Sequence, residues 1–439
     1  MADSLRAASG SIRNQVELAE FTINHRTEEI LRDIYRRKPD VLFFSCYIWN
    51  MVYVTELTAE CKQVMPEVPI WLGGPEVSYD AEEFLRIHPE VDGILGTGSY
   101  AEIVPAIASL LEEKAVSDFQ SIDAPEQETW RILTTPKHYA YIKIAEGCDN
   151  HCAYCVIPSL RGKYRSRRME DVLLEAKRLA QAGVKELIVV AQDTSRYGTD
   201  LPEHTRLLPK LLRELCRIDG IHWVRVHYVY PDEIDDELIQ VMAQEPKIVK
   251  YLDIPIQHCN DGILKRMNRR GSGAFLRELL GRLREQIPGL VIRTSLITGL
   301  PGEGEDEFRE LCDFLREMRM ERVGAFPFSP EEGTPAAQME HVDADVAMER
   351  AQKVEMLQSE IMDAYNASVM GKTLEVLVDG YDEEFEQFYG RTFADSPEID
   401  GRVWIAAREP LHEGDFVQVT IDGTQDGDLT GFISEEEAQ

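Results

Sequence analysis

Three cysteines, Cys148, Cys152 and Cys155, form a Cys-x3-Cys-x2-Cys pattern that opens on Gly147 and follows the apolar run Tyr141-Ile142-Lys143-Ile144. Three thiolates on one tight loop can ligate three irons of a cubane cluster, a group normally held by four cysteines. No fourth cysteine lies nearby. One iron would therefore stay open, able to bind and activate a small molecule, whereas a closed cluster mainly transfers electrons. Gly147 lets the backbone approach the sulfurs closely. The competing assignment is a structural zinc ion with His151 as fourth ligand. His151 directly precedes Cys152, which is poor geometry for a shared tetrahedral ion, and no second ligand pair follows.

The elements that must carry this loop divide the chain into three regions. Residues 1–110 alternate helical periods with the short apolar strands Val41-Leu42-Phe43-Phe44, Ile70-Trp71-Leu72 and Gly93-Ile94-Leu95-Gly96. Between the first two, Val54, Leu57, Cys61 and Val64 fall on one helical face. This predicts a small flavodoxin-like α/β layer domain, followed by a polar linker over Glu112 to Glu128.

Residues 137–368 form the second region. Strands are expected at Tyr141–Ile144, Glu186–Val190, Trp223–Val229, Val249–Ile254, Leu290–Leu296 and Arg322–Phe328. Helices over Met169–Ala182, Phe275–Glu285 and Glu305–Met318 lie between some of them. Such alternation predicts a parallel βα barrel, complete or partial, with its chemistry at the carboxyl ends of the strands. Over residues 369–439 the runs Leu374–Val378, Val403–Ala406 and Phe416–Ile421, separated by Asp-Gly turns, predict a small antiparallel β-barrel.

Composition narrows the partners. The formal net charge is −32, and residues 369–439 hold about eighteen acidic side chains against Lys372, Arg391, Arg402 and Arg408. Nucleic-acid phosphates are repelled by such a surface and basic proteins are attracted. No apolar run is long enough to span a membrane, and MADSLRAASGSIRNQ lacks the apolar core of a secretory signal. Eight cysteines in 439 residues read as thiols or metal ligands in a cytoplasmic protein.

The cysteine loop after the first barrel strand resembles the radical S-adenosylmethionine (SAM) superfamily. That resemblance implies a 4Fe-4S cluster on Cys148, Cys152 and Cys155, with SAM on the open iron cleaved by an electron donor to a 5′-deoxyadenosyl radical. Downstream, Cys155-Val156-Ile157-Pro158-Ser159-Leu160-Arg161-Gly162-Lys163-Tyr164-Arg165-Ser166-Arg167, Val190-Ala191-Gln192-Asp193-Thr194-Ser195-Arg196-Tyr197-Gly198, Asp253-Ile254-Pro255-Ile256-Gln257-His258 and Thr298-Gly299-Leu300-Pro301-Gly302-Glu303 are similar to the methylthiotransferases. Gly390-Arg391-Thr392-Phe393-Ala394-Asp395-Ser396-Pro397-Glu398-Ile399-Asp400-Gly401 resembles one branch, the RimO family, which ends in a small β-barrel (TRAM) domain. Membership implies methylthiolation of the β-carbon of one aspartate in the twelfth protein of the small ribosomal subunit. A second SAM would give the methyl group, and an auxiliary cluster on three N-terminal cysteines would carry the sulfur.

The N-terminal region departs from that pattern, because only Cys46 and Cys61 precede the barrel. Glu20-Phe21-Thr22-Ile23-Asn24, Arg36-Arg37-Lys38-Pro39-Asp40, Phe44-Ser45-Cys46-Tyr47-Ile48-Trp49-Asn50 and Leu72-Gly73-Gly74-Pro75-Glu76-Val77-Ser78-Tyr79 instead resemble a cobalamin-binding-type domain. Asp-x-His-x-x-Gly, which supplies cobalt's lower ligand in many such proteins, is absent. The chain reads as a junction near residues 80–95 between two radical SAM relatives. Two other readings stay open: a cobalamin-dependent radical SAM methylase, and a single-cluster protein that binds the ribosomal protein without completing methylthiolation. Gln192 and Asp193, just after the second barrel strand, and Arg293 and Ser295, on a later one, are candidate SAM or substrate contacts. Gly299 is a turn residue by composition, and a cofactor role for it comes from the resemblance alone. Arg161, Lys163, Arg165, Arg167 and Arg168 form a basic run suited to recruiting carboxylates.

Overall fold

A computed structural model describes residues 17–433 apart from 20, 22–24, 48–49, 75–76, 78–83, 85, 100–101, 112–115, 124–130, 132, 134 and 203. The first fifteen residues, parts of the segments resembling a cobalamin domain, and most of the expected linker lie outside the described residues. The chain forms two compact units, one N-terminal that also includes Ile157–Lys163, the other made of Leu133–Val156 and everything from Tyr164 onward.

In the first unit, strands β1 (Leu42–Ser45), β2 (Ile70–Gly73), β3 (Gly93–Leu95) and β4 (Val116–Asp118) form a parallel sheet in sequential order. Helices Thr27–Arg37 and Met51–Val64 bury Ile30 and Ile34, and Val54, Leu57, Thr58 and Cys61. Val64, expected on that buried face, is 46% exposed because the helix ends there and the chain turns at Met65. β4 lies inside the stretch read as linker, too short and polar to show an apolar period. Gly93 is required by packing, since a Cβ there would stand 2.7 Å from the Trp71 indole.

The second unit is built on six parallel strands in the order β12-β11-β10-β9-β8-β5. They are β5 (Tyr139–Lys143), β8 (Glu186–Val190), β9 (Trp223–Val226), β10 (Ile248–Asp253), β11 (Val291–Thr298) and β12 (Arg322–Pro327); a two-stranded ladder, β6 (Ala145–Glu146) with β7 (Arg165–Ser166), stands apart. Helices Met169–Gln181, Leu208–Cys216, Asp236–Gln244, Gly273–Gln286 and Glu305–Met318 connect them, so sequence order equals spatial order, as in a partial βα barrel. The outer faces of the strands and the inner faces of the helices merge in one large apolar core.

Helix Ala344–Val369 leads into a closed five-stranded barrel, β13-β14-β15-β17-β16, formed by β13 (Thr373–Asp382), β14 (Gln387–Arg391), β15 (Val403–Ala406), β16 (Phe416–Gln425) and β17 (Asp428–Ile433). The expected small antiparallel barrel is present, with four antiparallel joints and one parallel one, between β15 and β17. An odd number of strands closed into a ring cannot alternate throughout, so one parallel pair is obligatory. β14 and β17 escape pattern reading because each carries a glycine. A Cβ on Gly390 would lie 2.3 Å from Leu377 O and one on Gly431 2.5 Å from Thr420 O, so the tight curvature selects glycine against strand propensity.

The loop Thr392–Gly401 of this small barrel faces a charged layer at the amino ends of the large-barrel strands. Glu186 is fully buried and accepts from Arg225 Nε at 2.7 Å and from an Arg391 terminal nitrogen at 2.8 Å. Burial alone would raise its pKa, yet Arg391 and Arg225 hold it at about 2. Arg391 also pairs with Asp379 at 2.7 Å, Arg322 with Asp395 at 2.6 Å, and Tyr251 donates to Asp400 at 2.7 Å. Ser396 Oγ meets His227 Nε2 at 3.0 Å.

Removing one partner of such a buried network leaves the others uncompensated. Arg391→Ala should cost about 3–5 kcal/mol in urea unfolding, whereas Arg402→Ala, whose long contact to Asp428 is exposed, should cost under about 1 kcal/mol. Burial, then Arg225 and Arg293, push the His227 pKa down to about 3. Its folded value is below the ordinary ~6.5, so its contribution is complete above that pH and declines as pH falls toward about 3, while the unfolded chain takes up the proton. Unfolding midpoints measured across that window should fall more steeply for the natural chain than for His227→Asn.

Candidate metal centre

β5 delivers the chain to the carboxyl end of the large barrel, where Gly147 turns it with φ +80° into the cysteine loop. Cys148 and Cys152 are buried and Cys155 is half-buried, and none is in a disulfide. The loop is pinned by backbone bonds from Cys155 N to Cys152 O (3.0 Å), Ala153 N to Met267 O (2.9 Å) and Ala336 N to Ala153 O (2.8 Å). Asn150 Nδ2 donates to Cys148 Sγ at 3.5 Å and to Asp193 Oδ2 at 2.8 Å, which ties the loop to the turn after β8. Around Cys152 Sγ stand Tyr230 Oη at 3.1 Å and an Arg269 terminal nitrogen at 3.7 Å.

These donors fit an iron–sulfur cluster better than one metal ion. Three soft thiolates on one loop are the donor set such a cluster takes, each bonding its own iron. His151, the alternative zinc ligand, is exposed, and its carbonyl accepts from Asn268 Nδ2 at 2.8 Å. Burial pushes the Cys148 thiol up to about 11, so the proton must be displaced by the metal's own charge on binding.

Of the other candidates, Gln192 and Asp193 share this end of the barrel. Asp193 is fully buried, accepts from Ser195 Oγ at 2.5 Å, and has its pKa raised by burial. Gln192 Nε2 donates to Glu146 Oε1 at 2.8 Å, while its buried amide oxygen meets no donor among the described residues. Arg293 and Ser295 lie on the half-buried face of β11. Arg293 already holds Asp253 at 2.9 Å and stands 3.8 Å from Asp400, within the charged layer. Gly299, at φ +73°, is explained by packing: a Cβ would sit 2.3 Å from the Ala347 Cβ.

Within the basic run, Arg167 pairs with Glu175 at 2.7 Å and Arg168 lies 3.7 Å from Glu170, so these two guanidiniums are engaged by the chain's own carboxylates. Cys61 sits in the core of its helix and Cys46 Sγ lies 3.7 Å from Phe44 O. Asn150, Tyr230 and Arg269 were not identified from sequence. Their only signal is position: each follows a strand of the barrel or lies within the cysteine loop, and Arg269-Arg270 reads as ordinary surface charge.

The chain matches the family model of the Radical SAM superfamily over residues 142–315, the B12 binding domain over 2–104 and the TRAM domain over 370–433. Among solved structures, the radical SAM methyltransferase TsrM from Kitasatospora setae is similar in fold (TM-score 0.54, 15% identity, 68% of this chain and 64% of that one). So is the cobalamin-dependent radical SAM enzyme OxsB (TM-score 0.51, 15% identity, 76% and 50%). A ribosomal protein uS12 methylthiotransferase RimO from Thermoanaerobacter sp. is 46% identical over 352 residues, 80% of each chain. One from Anaeromyxobacter sp. is 47% identical over 362 residues, 81% of this chain and 76% of that relative. With a cysteine loop suited to a cluster at the mouth of a partial barrel and a closed C-terminal barrel sealing its base, this chain belongs to the ribosomal protein uS12 methylthiotransferase (RimO) family of radical SAM enzymes.

Proposed function

We propose that this enzyme replaces a hydrogen on the β-carbon of an aspartate in ribosomal protein uS12 by a methylthio group, in the cytoplasm. The observation that carries the reading is the loop of Cys148, Cys152 and Cys155 in a chain 46% identical to a RimO over 80% of its length. A 4Fe-4S cluster on those three thiolates, with SAM and an external one-electron donor, supplies the radical chemistry. The protein supplies position. Asn150 fixes the Cys148 sulfur against Asp193, and the unpaired Gln192 amide oxygen offers an acceptor for a polar group of SAM. Arg293 and Ser295 line the barrel interior, with Arg293 shaping it through Asp253, and Gly299 lets helix Ala344–Val369 close against the strand end. The acidic C-terminal barrel suits a basic ribosomal protein, and nucleic acid is not its target. The working division is residues 1–110, 137–368 and 369–439. Among the described residues no helix is long and apolar enough to cross a membrane.

We assign one cluster. Ahead of the loop the chain offers only Cys46 and Cys61, both fully buried, too few to hold a second cubane. Cobalamin does not fit either. The histidine of Asp-x-His-x-x-Gly is missing. The glycine turns after β2 and β3 are also close-packed within the chain: a Cβ would stand 2.3 Å from Cys46 O at Gly74, 2.6 Å from the Phe119 ring at Gly96 and 2.4 Å from Gln120 O at Gly98. In this reading the sulfur would enter as external sulfide, one SAM would give it the methyl group, and the electron released as the C–S bond forms would return to the one cluster, so that SAM is the net oxidant.

The test is anaerobic incubation of reconstituted enzyme with uS12, SAM, sulfide and a strong reductant, followed by peptide mass spectrometry. One methylthio group on one aspartate is expected. Release of 5′-deoxyadenosine with uS12 unmodified would overturn the substrate, and transfer of methyl without sulfur would favour the methylase reading.

A further inference from the structure

Two successive arginines follow helix Asp261–Arg266 and have opposite surroundings. Arg270 is exposed and meets Asp232 at 2.9 Å and Glu233 at 3.5 Å. Arg269 is buried and, among the described residues, forms no ion pair with a carboxylate. Its guanidinium donates to Pro255 O at 2.5 Å, Tyr230 Oη at 3.0 Å and Tyr154 Oη at 3.1 Å, and reaches Cys152 Sγ at 3.7 Å. Its Cζ also lies over the Tyr230 ring, 4.6 Å from the centroid. Tyr230 Oη in turn lies 3.1 Å from Cys152 Sγ, and Tyr230 N donates to Ser195 Oγ at 3.1 Å, which locks the ring's backbone. A buried cation without a counter-ion is strongly unfavourable. The one group beside Arg269 that becomes an anion when metal is bound is Cys152.

We propose that Arg269, with Tyr230, sets the reduction potential of the cluster held at Cys152. Both are positioning residues that act through the Cys152 sulfur and touch no substrate. One-electron reduction by an external donor adds one negative charge to the cluster and changes no bond. A fixed cation and a hydrogen-bond donor at one sulfur stabilise that charge and raise the potential. Cys148, by contrast, meets the neutral Asn150 amide and lies near the Asp193 carboxylate rather than beside a guanidinium.

The inference rests on the cluster reading, and the test separates the two. Wild type, Arg269→Met, Arg269→Lys and Tyr230→Phe are reconstituted anaerobically and assayed for iron and sulfide. Each is then titrated with titanium(III) citrate while the reduced cluster is followed by electron paramagnetic resonance. Arg269→Met should lower the one-electron reduction equilibrium at least tenfold, about 59 mV. Tyr230→Phe should shift it the same way by less, and Arg269→Lys should recover part of the Arg269→Met loss. Loaded Arg269→Met with an unshifted midpoint overturns the proposal. If Arg269→Met does not retain iron, an unshifted Tyr230→Phe overturns it instead. Wild type without iron overturns the cluster reading, and the proposal with it.

Discussion

Glu186 lies between two guanidiniums, Arg225 from the next strand of the large barrel and Arg391 from the small one, with no access to water. The six-stranded parallel sheet here is open, and its lower interior is lined by charge. Glu186, Arg225, Tyr251 and Arg322 would be costly to bury without partners. The small barrel supplies them, through Arg391, Phe393 O, Asp395 and Asp400. The C-terminal barrel is therefore part of the catalytic domain's own core. A reading of it as a detachable docking module misses that its loop Thr392–Gly401 completes the enclosure.

With the base closed from below, the carboxyl end of the barrel is left to carry chemistry. The cysteine loop, the turn after β8 and the segment around Arg269 meet there through Asn150, Tyr230 and backbone bonds at Ala153. Chain-borne groups hold the Cys148 and Cys152 sulfurs in place, so that loading of the proposed cluster would chiefly displace protons.

The large-barrel strands were legible because parallel, doubly covered strands read as unbroken Val/Ile/Leu runs, and Glu186–Val190 and Glu305–Met318 fall where the pattern puts them. The three cysteines stand out as a candidate cluster loop because spacing on one loop is a local property. What joins distant segments was not. Arg269 and Cys152 are 117 positions apart and Glu186 and Arg391 205 apart; no periodicity links such pairs. Arg293 shows the same limit. Its strand and inward face are readable, but its engagement by Asp253 depends on how β10 and β11 register. Strands β14 and β17 were hidden because curvature demands glycine where propensity opposes it.

Cys148, Cys152 and Cys155 are proposed to hold the one cluster of this enzyme. The direct measurement is iron and sulfide per chain after anaerobic reconstitution, for the natural protein and for the variant in which all three cysteines are alanine. About four irons per chain are expected, with none retained by the variant. Iron retained in full by the variant would contradict the assignment, and twice the expected iron, half of it surviving, would show that a second cluster assembles without these ligands.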